Sequence, residues 1–484
     1  MNELVIAPNN NALLVASPRY TPRAVGARSL AIYGGIGALW IGVLIGAWAF
    51  TGVLAWSAGI LYVIYDTSLL FYVMRKTRSL YRERSARSQA LIPVPSAPLP
   101  SVGVLIAARN EAAALPATLD ALLAQREGAE CILVLNDGSS DDTEALLSER
   151  YGVPPADGTY RVRTSMRWSA LKVLSLAHGG KARALNAGIE VLDTDLVVTV
   201  DADTILEPEA IGALRRAFAS DPRLVAAGGV LKPVCPPRAM GRFFQWFQTY
   251  EYVRAFISRI AWMRAGALLL VSGALAGFRR EALLRVGNFD VNCLVEDYEL
   301  IHRLHRYAYE HGLDWHVGVL GEVRGRTDAP ATLMSFLRQR RRWFAGFLQT
   351  QYWNRDMTGN GRYGALGRLM LPIKAVDTMQ PIYGLTAFIL LLRVLITGHY
   401  TILIPVLVII LTKILIDLWF HLWSVRLYTH WIGERTTAAR MSLAALAALA
   451  EPFSFQLMRH AGAAWGWLSF IAGRHRWESS PGGA

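Results

Sequence analysis

Residues 31–50 of this 484-residue chain form an apolar run without one charged side chain, and residues 52–74 form a second that is interrupted only by Asp66. A bilayer core of about 30 Å is crossed by a helix of roughly 20 residues, so two such runs predict a pair of membrane spans. The first run begins too late, is too long and lacks the cleavage site of a secretory signal peptide. Residues 371–397 and 401–424 predict two further spans near the other end. Residues 441–472 read either as one span followed by an interfacial helix or as a shallow hairpin broken near Pro452.

Charge orients these runs. Arg19, Arg23 and Arg28 precede the first span, and Arg75, Lys76, Arg78, Arg82, Arg84 and Arg87 follow the second. Arg426, Arg435, Arg440, Arg474 and Arg476 flank the later runs. The positive-inside rule puts all these flanks, and the region between them, in the cytoplasm. The net charge of +13 would also suit a nucleic-acid-binding chain. The arginines instead hug the apolar runs, which fits an anionic membrane surface and no nucleic acid. Three cysteines, Cys131, Cys235 and Cys293, without CxxC spacing, exclude a disulfide framework or zinc site and suit a reducing compartment. Asp66, Lys374, Asp377, Lys413 and Asp417 lie in or near the spans. There they pair with one another, snorkel at a span end or line a polar conduit.

Between the spans the pattern changes. After a proline-rich linker at 91–100, short apolar runs at 102–108, 131–135, 196–200 and 224–230 alternate with helical stretches. That alternation predicts a doubly wound α/β domain with a mostly parallel sheet. In such sheets ligands bind at the carboxyl ends of the strands. The first strand ends in Arg109-Asn110-Glu111 and the second in Asn136-Asp137-Gly138-Ser139-Ser140. Asp137 can meet a base or ribose, or Asp137-Gly138 can form a turn while a serine caps the next helix. Both readings stand.

The third strand runs into Asp201-Ala202-Asp203. Period-two alternation points both carboxylates to one side, where they can share a Mg2+ or Mn2+ ion completed by water and substrate phosphates. Gly179-Gly180-Lys181 lacks P-loop spacing; its lysine either neutralises a diphosphate or merely starts a solvated helix. Val295-Glu296-Asp297 opens a predicted helix at 298–311. Acids there suit the helix dipole; the functional reading is a general base, with Asp297 the candidate and Glu296 beside it. In the amphipathic stretch 333–352, Gln339, Arg342 and Trp343 share one helical face, while Arg340 and Arg341 read as facing headgroups. Residues 243–262 form a second aromatic amphipathic stretch, expected in the interface.

Taken in order, Asp137, Asp201-Ala202-Asp203, Glu296-Asp297 and Gln339-x-x-Arg342-Trp343 resemble the motif set of the membrane-embedded family 2 glycosyltransferases. That group includes cellulose, chitin, hyaluronan and bacterial poly-N-acetylglucosamine synthases, and the resemblance covers residues 101–343. Gly180-Lys181-Ala182-x-Ala184-Leu185-Asn186 and Ser272-Gly273 before Phe278-Arg279-Arg280 look closer to the poly-N-acetylglucosamine and hyaluronan branch.

The resemblance implies an α/β GT-A-type glycosyltransferase domain between N- and C-terminal transmembrane helices, with amphipathic interface helices. It implies inverting transfer from a UDP-sugar, UDP-GlcNAc or UDP-Glc, to a growing β-linked glycan secreted across the bacterial inner membrane. Residue by residue, Arg109, Asn110, Glu111, Asp137, Lys181 and Asp201 would serve the donor. Asp201 and Asp203 would hold Mg2+ or Mn2+, and Asp297, beside Glu296, would be the base. Ser272, Gly273, Gln339, Arg342 and Trp343 would hold the acceptor end and pyrophosphate. Val295 departs from the family's usual threonine.

The implied partners are the donor, the glycan, the bilayer and accessory membrane or periplasmic export subunits. Little chain follows the last apolar run, so the cyclic-di-GMP-binding domain of bacterial cellulose synthases is not expected. The implied layout is a tail (1–30), two spans (31–74), a basic linker (75–100), the GT-A domain (101–329), an interface helix (330–360) and a membrane region (371–472). The alternatives are a single-transfer enzyme acting on a lipid, as ceramide glucosyltransferases do, or a nucleotide-binding membrane scaffold.

Overall fold

A computed structural model describes residues 10–49, 54, 56–82, 98–156, 161–397 and 400–473. Arg84, Arg87, most of the 91–100 linker, Arg474 and Arg476 lie outside the described residues. The middle of the chain builds one nine-stranded sheet among the described residues, ordered β3-β4-β2-β1-β5-β8-β7-β9-β6. The strands are β1 (Val102–Ala108), β2 (Cys131–Asp137), β3 (Val162–Thr164), β4 (Leu171–Leu176), β5 (Leu196–Val200), β6 (Thr204–Leu206), β7 (Leu224–Val234), β8 (Leu275–Arg279) and β9 (His316–Asp328). β2 and β5 are buried along their whole length, and β1 nearly so, as strands covered on both faces must be.

The expectation of a mostly parallel sheet holds for half of it. β4, β2, β1 and β5 run parallel, but β8 enters antiparallel between β5 and β7, and β3 and β6 pair antiparallel at the two edges. The reason is the connection. β8 is reached after the 26-residue helix Ala239–Arg264 rather than by a local βαβ crossover, so nothing forces it into the parallel direction.

Four helices are long and apolar enough to cross a membrane: Ala27–Ala47, Ser57–Arg82, Leu366–Arg393 and Leu403–Ile432. The pair Ala438–Phe453 and Phe455–Ile471 is bent by 49° and counts as a fifth if it is one broken span. The break falls at Ser454, directly after the turn Glu451–Phe453 that contains Pro452. The acids and lysines that interrupt the apolar stretches are paired. Lys413 reaches Asp66 at 2.7 Å and also Asp417, while Lys374 reaches Asp377 at 2.6 Å. Pairing offsets part of the cost of intramembrane charge.

Two further helices tie the sheet to the spans. Ala239–Arg264 packs on β7 and β9 and on the helices Ser57–Thr77 and Tyr400–Ile432, with Phe244, Phe247, Phe256 and Ile257 buried. Leu333–Trp353 begins with a Thr332–Ser335 capping box and lies along Phe455–Ile471. Gly462 faces the Arg340 Cβ and Gly466 the Phe344 Cβ, each so closely that a side chain there would sit 2.7 Å from its neighbour.

Candidate active site

The carboxyl ends of β1 and β2 are stitched into one rim. Asn110 adopts φ 57°, its amide donates to Ser139 Oγ at 3.0 Å, and its side-chain oxygen accepts from the Ser140 amide at 2.8 Å. The Glu111 amide donates to Thr143 Oγ1 at 3.1 Å. Asp137 is buried and accepts from the Gly179 and Gly180 amides at 2.7 and 2.9 Å, with His178 Nδ1 at 2.9 Å. It therefore fixes the loop that delivers Lys181. Gly138 (φ 67°) permits that closeness, because a Cβ there would meet the His178 amide nitrogen at 2.8 Å.

Lys181 opens the helix Lys181–Val191 and lies between two acids from different elements. Its ammonium bonds Asp201, at the end of β5, and stands 3.9 Å from Glu296, at the start of the helix Glu296–His311. Burial alone would depress the lysine pKa, but the Asp201 and Glu296 carboxylates outweigh it and the net shift is upward. Asp297 accepts from the Gly273 amide at 2.8 Å through one oxygen and from the Tyr298 amide at 2.8 Å through the other. Thr199, in β5, donates to the Gly273 carbonyl at 3.1 Å. The Ser272-Gly273 segment before β8 is thus seated directly against the second acid pair.

The helix Leu333–Trp353 grips the segment that carries those acids. Gln349 Oε1 accepts from the Leu294 amide at 3.2 Å, and Arg342 Nη1 lies 3.4 Å from the Leu294 carbonyl. Gly346 presses against Val295, whose side-chain carbons would be 2.5 to 3.1 Å from a Cβ at that glycine. Gln339 Oε1 is buried with no hydrogen-bond partner among the described residues. Trp343 lines a cavity of about 410 Å³ between this helix and the spans, with Phe347, Asp66, Arg254, Asp377 and Asp417 also in its walls.

Arg340 corrects an expectation. It does not face headgroups, because the surrounding helices bury it. It is 6% exposed, bonds both Glu251 oxygens at 3.0 and 2.7 Å, and lies over the Phe336 and Trp343 rings. Arg341 lies over the Trp465 ring, 4.9 Å from its centroid.

The rim at the strand ends is crowded with negative charge. Burial, then Asp203, Asp201, Asp141 and Asp328, push the Glu111 carboxyl up to about 7. Burial, then Asp201 and Asp328, push Asp203 up to about 6. Burial also raises Glu296, against the pull of Lys181 and Arg342. Among the described residues no three His, Cys, Asp or Glu side chains already gather around one point as a metal cage. Two oxygen-donor residues at a strand end, in a field that repels further anions, nevertheless fit a hard divalent cation. Such an ion takes one or two protein carboxylates and fills the rest of its shell with phosphate oxygens and water.

Several neighbours escaped the sequence reading. Thr327 donates to Asp203 at 3.2 Å, and Asp328 follows it at the end of β9; the alternation of charged and uncharged residues over 322–328 is the sequence signal for that strand. Arg259 has a buried Nε without a hydrogen-bond partner among the described residues and feels the Asp297 charge. Gln349 and Asp290 carry no local motif.

Comparisons with known proteins identify the family. The family described as "Glycosyltransferase like family 2" matches residues 100–346, just over half the chain. A poly-β-1,6-N-acetyl-D-glucosamine synthase of Staphylococcus epidermidis is 28% identical over 252 residues, covering 51% of this chain and 54% of its own. The Staphylococcus aureus (strain COL) synthase of the same name is 29% identical over 255 residues, covering 51% and 55%. The chain thus spans about half the length of these curated relatives. A mannosyltransferase from Pyrobaculum calidifontis, solved with GDP-Man and Mn2+, aligns with TM-score 0.49 and 19% identity over 82% of this chain and 99% of its own. On the family match, which runs from the start of the sheet into the Leu333–Trp353 helix, the chain belongs to glycosyltransferase family 2 and is a glycosyltransferase with a GT-A-like fold flanked by apolar helices.

Proposed function

We propose that the chain moves sugar, with inversion, from a UDP-sugar to the end of a growing β-linked glycan. The sugar is N-acetylglucosamine or glucose, with the former favoured by the names of the staphylococcal relatives. The reaction takes place at the cytoplasmic face of a bacterial inner membrane, and the glycan leaves through the spans. The observation that carries this reading is Lys181, which joins Asp201 at the end of β5 to Glu296, next to Asp297.

In this reading the uridine and ribose rest on the rim of Arg109, Asn110, Glu111 and Asp137, at the carboxyl ends of β1 and β2. Two backbone amides hold the Asp297 carboxylate in place. The acceptor hydroxyl gives its proton to Asp297 while its oxygen attacks the anomeric carbon, and the bond to the diphosphate breaks on the opposite face. Lys181 and Arg342 meet the charge that develops on the departing UDP. A Mg2+ or Mn2+ ion held by Asp201 and Asp203 would add Lewis-acid neutralisation of the same oxygens. Trp343 offers an indole face, and the unpaired Gln339 oxygen an acceptor, to the sugar seated over Ser272-Gly273. The adjoining 410 Å³ cavity, with aromatic and paired polar walls, supports passage of glycan. Accessory export subunits complete the proposal.

The test is to incubate the full chain, in membranes, with a panel of UDP-sugars and to size the product. A polymer from one UDP-sugar is the expected result. A glycolipid alone makes it a single-transfer enzyme, and no turnover of any UDP-sugar overturns the reading.

A further inference from the structure

The loop that presents Glu296 and Asp297 is pinned from three directions, and one pin comes from the far end of the chain. At its start, Asn186 of the Lys181–Val191 helix bonds both the amide and the carbonyl of Phe289 at 2.9 Å. At its end, Gln349 and Gly346 hold Leu294 and Val295. Between them Asp290 is fully buried. Arg19 Nη1 stands 2.9 and 3.0 Å from its two carboxylate oxygens. The Asn292 amide donates to the same carboxylate at 2.9 Å, and the Tyr20 hydroxyl is 3.4 Å away.

Arg19 is itself held. Its guanidinium lies 5.0 Å from the ring centroids of Tyr20 and Trp353, and Trp353 ends the helix Leu333–Trp353. Just before it, the helix Asn10–Ala16 packs on Arg280–Val286. Gly287 (φ 82°) lets the Leu13 backbone approach so closely that a Cβ there would sit 2.2 Å from the Leu13 nitrogen. The segment ahead of the first apolar helix is therefore folded against the acid loop.

We infer that Arg19 is a positioning residue for sugar transfer: by pairing with buried Asp290 it fixes the loop that carries Glu296 and Asp297 relative to the Leu333–Trp353 helix. The inference rests on the proposed transfer chemistry. Without Arg19, Asp290 becomes an unpaired buried carboxylate a few residues from Glu296, Asp297 and Glu299. Removing one member of a buried pair is costly because the remaining charge must hydrate or take a proton, and either response moves the loop. The donor rim lies on β1, β2 and the Lys181 loop, so UDP binding should survive while the acceptor geometry fails.

The test compares Arg19→Ala, Arg19→Lys and Arg19→Ala/Asp290→Asn in the full chain. It reads kcat for UDP release at saturating UDP-sugar and, separately, UDP affinity by calorimetry. Arg19→Ala should lower kcat by about 10- to 100-fold, as a sub-ångström to 1 Å misplacement does, with UDP affinity within about twofold. Arg19→Lys should recover part of the rate, and Asp290→Asn should partly rescue Arg19→Ala by removing the orphaned charge. Wild-type kcat in Arg19→Ala overturns the inference. So does loss of UDP binding in step with kcat, which would make Arg19 a residue of general folding. Wild-type turnover that is abolished in Asp297→Asn keeps the transfer reading intact even if the Arg19 inference fails; its absence sinks that reading instead.

Discussion

Gly346→Ala should damage catalysis through a contact of known size. A Cβ at Gly346 would stand 2.5 Å from Val295 Cγ2 and 2.8 Å from Cγ1, whereas carbons rest at about 3.5–4.0 Å. The two elements must part by about 1 Å. Val295 cannot evade by rotation, because both of its methyls already face the glycine and β-branching stiffens χ1. The helix is backed by Phe455–Ile471 through Gly462 and Gly466, so the yielding part is the segment leading to Glu296 and Asp297. A displacement of about 1 Å at a reacting group costs on the order of 100-fold in rate, or about 2.7 kcal/mol of barrier. Overpacking itself should cost stability by about 1–3 kcal/mol. The assay is kcat for UDP release at saturating donor, with UDP affinity as the control for folding. Val295→Ala in the same chain removes both methyls and should restore at least about tenfold of the loss if the clash is the cause. A Gly346→Ala enzyme within threefold of wild type would refute the reasoning. So would a double variant no faster than Gly346→Ala when Val295→Ala alone is active.

Three other outcomes follow from the same geometry. Asp203→Asn should abolish the enhancement of UDP binding by Mn2+ or Mg2+ and lower turnover by at least about 100-fold, measured by calorimetry with and without metal. Arg340→Ala should destabilise the protein by about 1–3 kcal/mol, because part-buried Glu251 loses two close hydrogen bonds and keeps Arg459 at 3.7 Å; Arg342→Ala should instead cost turnover, with thermal unfolding shifted much less. Burial pushes the His302 imidazole down to about 3, with Nδ1 2.9 Å from the Tyr298 carbonyl. The unfolded chain takes that proton near pH 6.5, so stability is present above that pH and falls by about 2 kcal/mol between pH 7 and 5. Thermal unfolding of His302→Gln should show a shallower acid slope than wild type, and an equal slope would contradict the assignment.

What could be read from the sequence was what is local. β1, β2 and β5 are continuous apolar runs ending in polar residues, so both the strands and the Asp201-Ala202-Asp203 carboxylates at the end of β5 announce themselves within a few residues. Span length and bilayer thickness likewise fix the apolar helices. β8 and β6 are five and three residues long and are oriented by partners far along the chain, β5 and β7 for the one and β9 for the other, which no local period encodes. Asp137 left two readings open; the structure engages it with the His178–Gly180 loop. Arg340 looked like a headgroup contact because helical spacing cannot see Glu251 on another helix. Val295, in place of a threonine, finds an apolar seat on Gly346. Arg19 read only as a topology signal, because its partner lies 271 positions away.

The central claim is that the β5 acids, Lys181 and Asp297 act on one nucleotide-sugar. Its most direct test is single-turnover UDP release by Asp297→Asn beside its UDP affinity, each with and without a chelator. The account predicts UDP binding within about threefold of wild type, release slowed by about 100- to 10,000-fold, and wild-type turnover lost on chelation. Undiminished release by Asp297→Asn, or wild-type turnover indifferent to the chelator, would contradict it.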